Sequence, residues 1–215
     1  MLLAIDTATY RASVALHDGR VLRGEFTWES RNRHTVTLLP RIVRLLSDHS
    51  LDARDLTAIG ICIGPGSYTG VRIGVSVAKG LASARKLPLI GVSTLDVLVA
   101  GYPRDPRPLL ALFAAGRRKV GYARYRWQDD RWRSQTGVQV ETWSELASAI
   151  TSPSIVLGEI GEEGWEILRS MYDKVEVPAP AQHLRRAGYL ADIAWQRLRN
   201  NQIDAPSALL PLYAR

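Results

Sequence analysis

The chain has 215 residues, with 28 Lys and Arg against 21 Asp and Glu for a net charge of +7, and 46% of its residues are hydrophobic. That length suits one large domain or two small ones with real cores, and no apolar run approaches the ~20 residues of a membrane span, so a cytoplasmic protein with no membrane partner is expected. The positive charge, carried mostly by Arg, biases the chain towards polyanions such as nucleic acid.

Residues 2–5, followed by Asp6 and Thr7, predict a strand. Residues 13–16 predict a second, Asp18 and Gly19 a turn, and residues 21–26 a third, which completes a β-meander. Leu38, Leu39, Ile42, Leu45 and Leu46 follow a helical period over 34–49, with Pro40 bending the first turns. Residues 58–63 read as a strand that contains Cys62, where a buried thiol is expected rather than a nucleophile or ligand. A glycine-rich turn opens a helix that runs to about Arg85; a short strand at 89–92 and a helix at 95–100, capped by Ser93 or Thr94, follow. Three prolines in 101–108 mark an interdomain link. Beyond it come strands at 109–114, 120–127 and 132–140, a helix at 143–150, a strand at 155–158, a helix at 164–171, a short strand at 175–177 and a last helix at 187–200. Two successive units of meander followed by α/β elements point to a duplicated architecture.

The turn reads Gly-Pro-Gly-Ser-Tyr-Thr-Gly-Val-Arg-Ile-Gly over residues 64–74, four glycines in eleven positions. Glycine inside a helix costs about 1 kcal/mol relative to alanine, so something must approach the backbone closely. One reason would be an anion at the helix N-terminus. The other is a neighbouring helix, favoured by Gly70, Gly74, Ala78 and Ala82 recurring every four residues. The segment is not a P-loop, because Val71 and Arg72 follow Gly70 where that motif has Lys and Ser or Thr, and its glycine spacing is not that of the dinucleotide fingerprint.

Residues 4–9, Arg33-His34-Thr35, Leu38-Leu39-Pro40, the 64–74 block, Gly91-Val92-Ser93-Thr94-Leu95 and the terminal residues 211–215, in that order, resemble the TsaB (YeaZ) family. The match is strong over residues 1–100 and loose afterwards. The resemblance implies an α/β, two-domain, actin-like and sugar-kinase-like (ASKHA) fold, each domain a mixed sheet flanked by helices. The expected first domain is 1–101, completed by about 187–215, and the second, smaller one is 102–186. Family members act in bacterial synthesis of N6-threonylcarbamoyladenosine at position 37 of tRNA, as noncatalytic scaffolds. The implied partners are the transferase TsaD, as a heterodimer, and the ATPase TsaE, with a functional link to TsaC and contact with tRNA through the complex. Alone, such a protein pairs with itself. No cofactor of its own is implied, and a nucleotide at the interface of the complex is left open.

The same resemblance assigns partner contact to the helices 34–49 and 70–85, with Leu39, Ile42, Leu46, Val71, Gly74, Val75 and Ala78 as the candidate residues; that these residues pack only inside one chain is the alternative. Asp6 and Thr7 match the superfamily's first phosphate loop; a vestigial nucleotide site and a strand-end Asp that satisfies turn amides are both open readings. His34, with Arg31 and Arg33, could contact a partner or simply stand at a loop–helix junction. The chain departs from the family in two places. Val36 stands where a polar residue is frequent, and Ala114-Ala115-Gly116-Arg117 replaces an Asp-Ala-Arg.

The four histidines, His17, His34, His49 and His183, include no pair four apart, so neither the transferase's metal motif nor a metalloprotease motif is present and no catalytic or metal residue is assigned. A basic, aromatic hairpin follows the link, and Arg117, Arg118, Arg124 and Arg126, interleaved with Tyr122, Tyr125, Trp127 and Trp132, are candidates for RNA contact. A half-buried hairpin with a solvated Arg face is the alternative. Two other functions remain open, an ASKHA-type small-molecule kinase or ATPase and a stand-alone RNA-binding module.

Overall fold

The computed structural model describes residues 1–30, 33–116 and 118–214. Two units emerge: one is Met1–Val97 with Arg186–Tyr213, the other is built on Leu98–Arg185. In the first, β1 (Leu2–Asp6), β2 (Arg11–His17) and β3 (Leu22–Glu29) form the antiparallel meander, turned by the Asp18 carboxylate, which accepts from the amides of Arg20 and Val21. Helix α1 (His34–Ser47) leads through a short 3-10 turn to β4 (Ala58–Cys62). Helix α2 (Tyr68–Arg85), β5 (Leu89–Val92) and α3 (Thr94–Ala100) follow. The sheet order is β3-β2-β1-β4-β5, with β4 and β5 parallel to β1.

Every residue of β1 and β4 is buried because helices cover both faces of the sheet. A Cβ on Gly60 would press on Ala194, on the helix that returns from the far end of the sequence, whereas the next residue, Ile61, reaches Gly74 of α2. Successive strand residues point to opposite faces, so α2 and that returning helix lie on opposite sides. Gly24, which faces Leu45 of α1, pairs with Leu16, and Leu16 with Leu3, on the side of Ile59 and Ile61. Helices α1 and α2 therefore share one face.

The second unit contains β6 (Leu109–Ala114), β7 (Lys119–Gln128), β8 (Arg131–Ser134), β9 (Gln139–Thr142), α4 (Trp143–Ala149), β10 (Ser154–Gly158), α5 (Glu162–Ser170) and β11 (Val175–Glu176). Its order, β11-β10-β6-β7-β8, repeats the first sheet strand for strand, with three antiparallel strands and two more parallel to the first of them. The duplicated architecture expected from element order, and the α/β, ASKHA-like fold that the family resemblance implies, are the ones observed. Helix α6 (Ala187–Arg199) belongs to the first unit.

One strand differs from expectation. Residues 132–140 are two strands, β8 and β9, both paired to β7. The chain breaks at 135–138, where Gln135 donates to the Arg124 carbonyl and Thr136 Oγ1 accepts from the Arg124 amide. Among the described residues, no helix is long and apolar enough to cross a membrane.

Candidate docking face and the glycine turn

The glycine block seats α2 against the end of β1. Ser67 is the N-cap, its hydroxyl accepting from the Gly70 amide, and its own amide donates to the Ala8 carbonyl at 2.6 Å. A Cβ on Gly66 would strike the Ala8 carbonyl oxygen, one on Gly70 that of Thr7, and one on Gly74 the Thr7 hydroxyl. The glycines thus permit a close approach, but the neighbour is this chain's own β1–β2 loop rather than a partner helix. Gly64, at φ +101°, sits under the Leu212 carbonyl, and the Leu212 amide donates to Ile63 at 2.7 Å, so the C-terminal segment straps across the turn. Tyr213 at the end of this strap stacks on Tyr68, with centroids 4.9 Å apart.

This packing changes the reading of Asp6 and Thr7. Both are buried; the Asp6 carboxylate accepts from the Ala8 amide, and Thr7 Oγ1 donates to the Gly70 carbonyl at 2.7 Å. Both groups are engaged by the chain's own backbone, which supports the turn-satisfying reading of Asp6.

Of the seven residues assigned to partner contact, Leu39 alone faces outward. Ile42, Leu46, Val71, Gly74, Val75 and Ala78 are buried against the sheet, within the first unit's own core. The correction follows from the sheet taking the most apolar stripe of each helix. The outward stripe of α1 is Val36, Leu39 and Val43, exposed by 58%, 48% and 61%. Between α1 and α2 a groove of about 440 Å³ opens, walled by Leu39 on one side and Tyr68, Arg72, Ile73, Ser76 and Val77 on the other. On α2 the next turn carries Gly80, where an added Cβ would meet nothing within 4 Å.

His34 forms the inner end of this groove. It is buried at the first turn of α1, and its Nδ1 has no hydrogen-bond partner. Burial pushes its pKa down, opposed by a hydrogen bond to the Thr9 backbone and the charge of Asp6. Arg33 is exposed beside it, and Arg31 lies outside the described residues.

In the second unit the four candidate arginines separate. Arg117 lies outside the described residues. Arg118, at φ +60°, and Arg126 are exposed, but Arg124 is half-buried and donates from Nη2 to the Ala149 carbonyl at the end of α4, 2.8 Å away. Of the aromatic residues, Tyr125 and Trp127 stand on the opposite face of β7, whereas Tyr122 shares the face of Arg124 and Arg126. Tyr122, Tyr125 and Trp132 are buried, and Trp132 packs edge-on against Trp127 and donates from Nε1 to the Tyr102 carbonyl. Three of the four rings are therefore taken into the core, and Trp127 alone stays half-buried.

A cleft of about 270 Å³ at the end of β6 is lined by Arg118 and Lys119, but also by Glu159, Glu162 and Glu163. Glu159 accepts from the Ala114 amide, which puts a negative charge where a kinase's second phosphate loop would need none. Among the described residues no three His, Cys, Asp or Glu side chains come together as metal ligands.

Comparison with known proteins decides the family. The family model described as "TsaD: tRNA N6-adenosine threonylcarbamoyltransferase" matches residues 28–194. The TsaB protein of Bacillus subtilis is 32% identical over 160 residues, 73% of this chain and 70% of that one. The chain belongs to the TsaB/YeaZ family. The TsaB protein of Escherichia coli is 37% identical over 158 residues, 72% of this chain and 64% of that protein. YeaZ from Pseudomonas aeruginosa superposes with a TM-score of 0.77 over 99% of both chains at 26% identity. At 12% identity and a TM-score of 0.52, component A of an Acidaminococcus fermentans 2-hydroxyglutaryl-CoA dehydratase shares the fold alone.

Sequence reasoning missed Val43 and Gly80, and each carries a signal. Val43 stands one residue outside the 38-39-42-45-46 pattern, an apolar side chain with no place in the buried stripe. Gly80 sits mid-helix, off the Gly70–Gly74–Ala78 stripe that the chain itself uses. Val36 extends the apolar outward face.

Proposed function

We propose that this chain is a noncatalytic scaffold of bacterial tRNA N6-threonylcarbamoyladenosine synthesis and docks through the outward faces of α1 and α2 onto the TsaD-type transferase. The observation that carries the reading is the exposed apolar groove between those helices in a member of this family. Val36, Leu39 and Val43 stand in water beside it, and large contiguous apolar surface of this kind marks a protein interface. Gly80 supports the same reading. A glycine in a helix interior costs about 1 kcal/mol relative to alanine, and nothing inside the chain uses its missing side chain. A partner backbone approaching there would.

A scaffold role agrees with the four histidines, no two of them four apart, which leaves the chain without the paired imidazoles of the transferase's metal motif. The basic hairpin adds exposed charge at Arg118 and Arg126, which suits weak phosphate contact within the assembled complex, while the burial of Tyr122, Tyr125 and Trp132 leaves few rings for stand-alone RNA recognition. The ATPase TsaE and the adenylate-forming TsaC complete the proposed machinery.

The test is transfer of radiolabelled threonylcarbamoyl to unmodified tRNA by TsaC, TsaD and TsaE of the same organism, with this chain present, omitted or alone. Transfer that requires the chain, with none from the chain alone, is expected. Full transfer without it overturns the reading.

A further inference from the structure

Helices α1 and α2 contain Arg41, Arg44, Arg72, Lys79 and Arg85 and not one Asp or Glu. Two of these charges are already engaged. Arg44 pairs with Asp48 at 2.7 Å, and Arg85 donates to the Arg54 carbonyl at the far end of α2. Arg41 lies over the Trp28 ring, on the flank away from the groove. Arg72 and Lys79 remain. They stand seven residues apart, hence on one stripe of α2, and Arg72 walls the groove with its guanidinium over the Tyr68 ring and bonded to the Tyr68 hydroxyl. No carboxylate pairs with either among the described residues.

A two-fold dimer would set this surface against its own copy. Away from Asp48 at the C-terminal cap of α1, which Arg44 already neutralises, only positive groups of the four helices then meet across the contact. At physiological salt the screening length is about 8 Å, shorter than the width of a helix pair but long enough for neighbouring side chains to repel. A heterologous helix pair with Asp or Glu opposite Arg72 and Lys79 meets the same apolar groove with opposite charge. Like charges set together penalise the wrong partner while opposite ones steer the right one.

We infer that the α1–α2 face selects a carboxylate-bearing heterologous partner over a second copy of this chain, with Arg72 and Lys79 as the specificity-determining residues. The inference rests on the docking reading above and deepens it. It also runs against the sequence-based expectation that the chain pairs with itself when alone. Nucleic acid is a less suitable occupant, because an apolar groove offers no phosphate-binding amides.

The experiment measures two associations at 50 and 500 mM NaCl by sedimentation velocity and isothermal titration calorimetry. One is self-association of the full chain, and the other is binding to the TsaD-type transferase of the same organism. Transferase binding should weaken at least about tenfold at high salt, while self-association should strengthen. The double variant Arg72→Glu/Lys79→Glu should lose at least about tenfold in transferase affinity and, mixed with wild type, form mixed dimers tighter than either forms alone. Arg72→Gln/Lys79→Gln, which removes charge without reversing it, should strengthen self-association, and circular dichroism checks that both variants fold.

Self-association that weakens with salt, or transferase affinity indifferent to salt and to the charge reversal, overturns the inference but leaves docking intact. Transferase binding that survives Leu39→Asp overturns the docking reading itself. Tight tRNA binding abolished by the charge reversal would assign the face to nucleic acid and overturn both.

Discussion

The hydroxyl of Thr7 donates to the carbonyl of Gly70 across 2.7 Å, with both residues buried. The bond ties the end of β1 to the first turn of α2. Gly74→Ala would drive a methyl into that hydroxyl, and Gly70→Ala into the Thr7 carbonyl. Each should cost about 1–3 kcal/mol or more, as overpacking against backbone does. Thr7→Val should cost about 1 kcal/mol. Denaturant melts check these values. In thermal melts ATP should leave the isolated wild type unmoved, and a rise in its Tm that Thr7→Val removes would contradict the turn-satisfying reading.

Gly80→Ala should act with opposite signs on stability and docking. In the free chain nothing opposes the added methyl, so the helix should gain roughly 0.5–1 kcal/mol in a urea melt. In the proposed complex the methyl would occupy the space of the partner backbone, and the transferase affinity should fall. An unchanged affinity would place the partner elsewhere.

His34 should make the first unit acid-sensitive. Burial holds its folded pKa below the ordinary 6.5, so between the two values the unfolded chain binds the extra proton. Stability is then fully present above about pH 6.5 and is lost as pH falls towards the folded pKa. His34→Gln should flatten that part of the pH profile in urea melts while sparing the slope due to carboxylates at lower pH. A profile indifferent to the substitution would contradict the assignment.

Arg124 and Arg126 are adjacent in the same hairpin pattern yet should behave differently. Arg124→Ala removes a cation from the C-terminal end of α4 and leaves the Ala149 carbonyl without its donor, so it should cost roughly 1.5–3 kcal/mol. Arg126→Ala, on the exposed side, should stay within about 0.5 kcal/mol. Thermal melts of the two variants separate a structural arginine from a solvated one.

How much of this was legible in the sequence depended on which interactions are local. The doubled sheet could be read from element order, because strand and helix periodicity is a local property and the connections leave few topologies. The position of α2 was close, and only its cap at Ser67 was missed, where a polar residue after glycines starts the helix two residues early. The split of 132–140 was hidden because Gln135 and Thr136 are bound to Arg124, eleven and twelve residues away in the chain. The docking residues went wrong for a different reason. Apolar side chains lie off the buried stripe as well as on it, Val36, Leu39 and Val43 on α1 and Ile73 and Val77 on α2, and periodicity alone cannot tell which of them meet the chain's own sheet, so Ile42 and Val75 were assigned outward while Val43 was passed over. The glycines gave a true signal of close approach, but Thr7 and Ala8, some sixty residues upstream, are what approaches.

The central claim is that the outward α1–α2 groove is where the transferase binds, and calorimetric titration of the TsaD-type transferase with Leu39→Asp and Val43→Asp tests it most directly. Both side chains are exposed, so each variant should keep wild-type stability within about 0.5 kcal/mol yet lose 2 kcal/mol or more of binding, about thirtyfold, if it sits at the centre of the interface. Wild-type affinity in both variants would contradict the account.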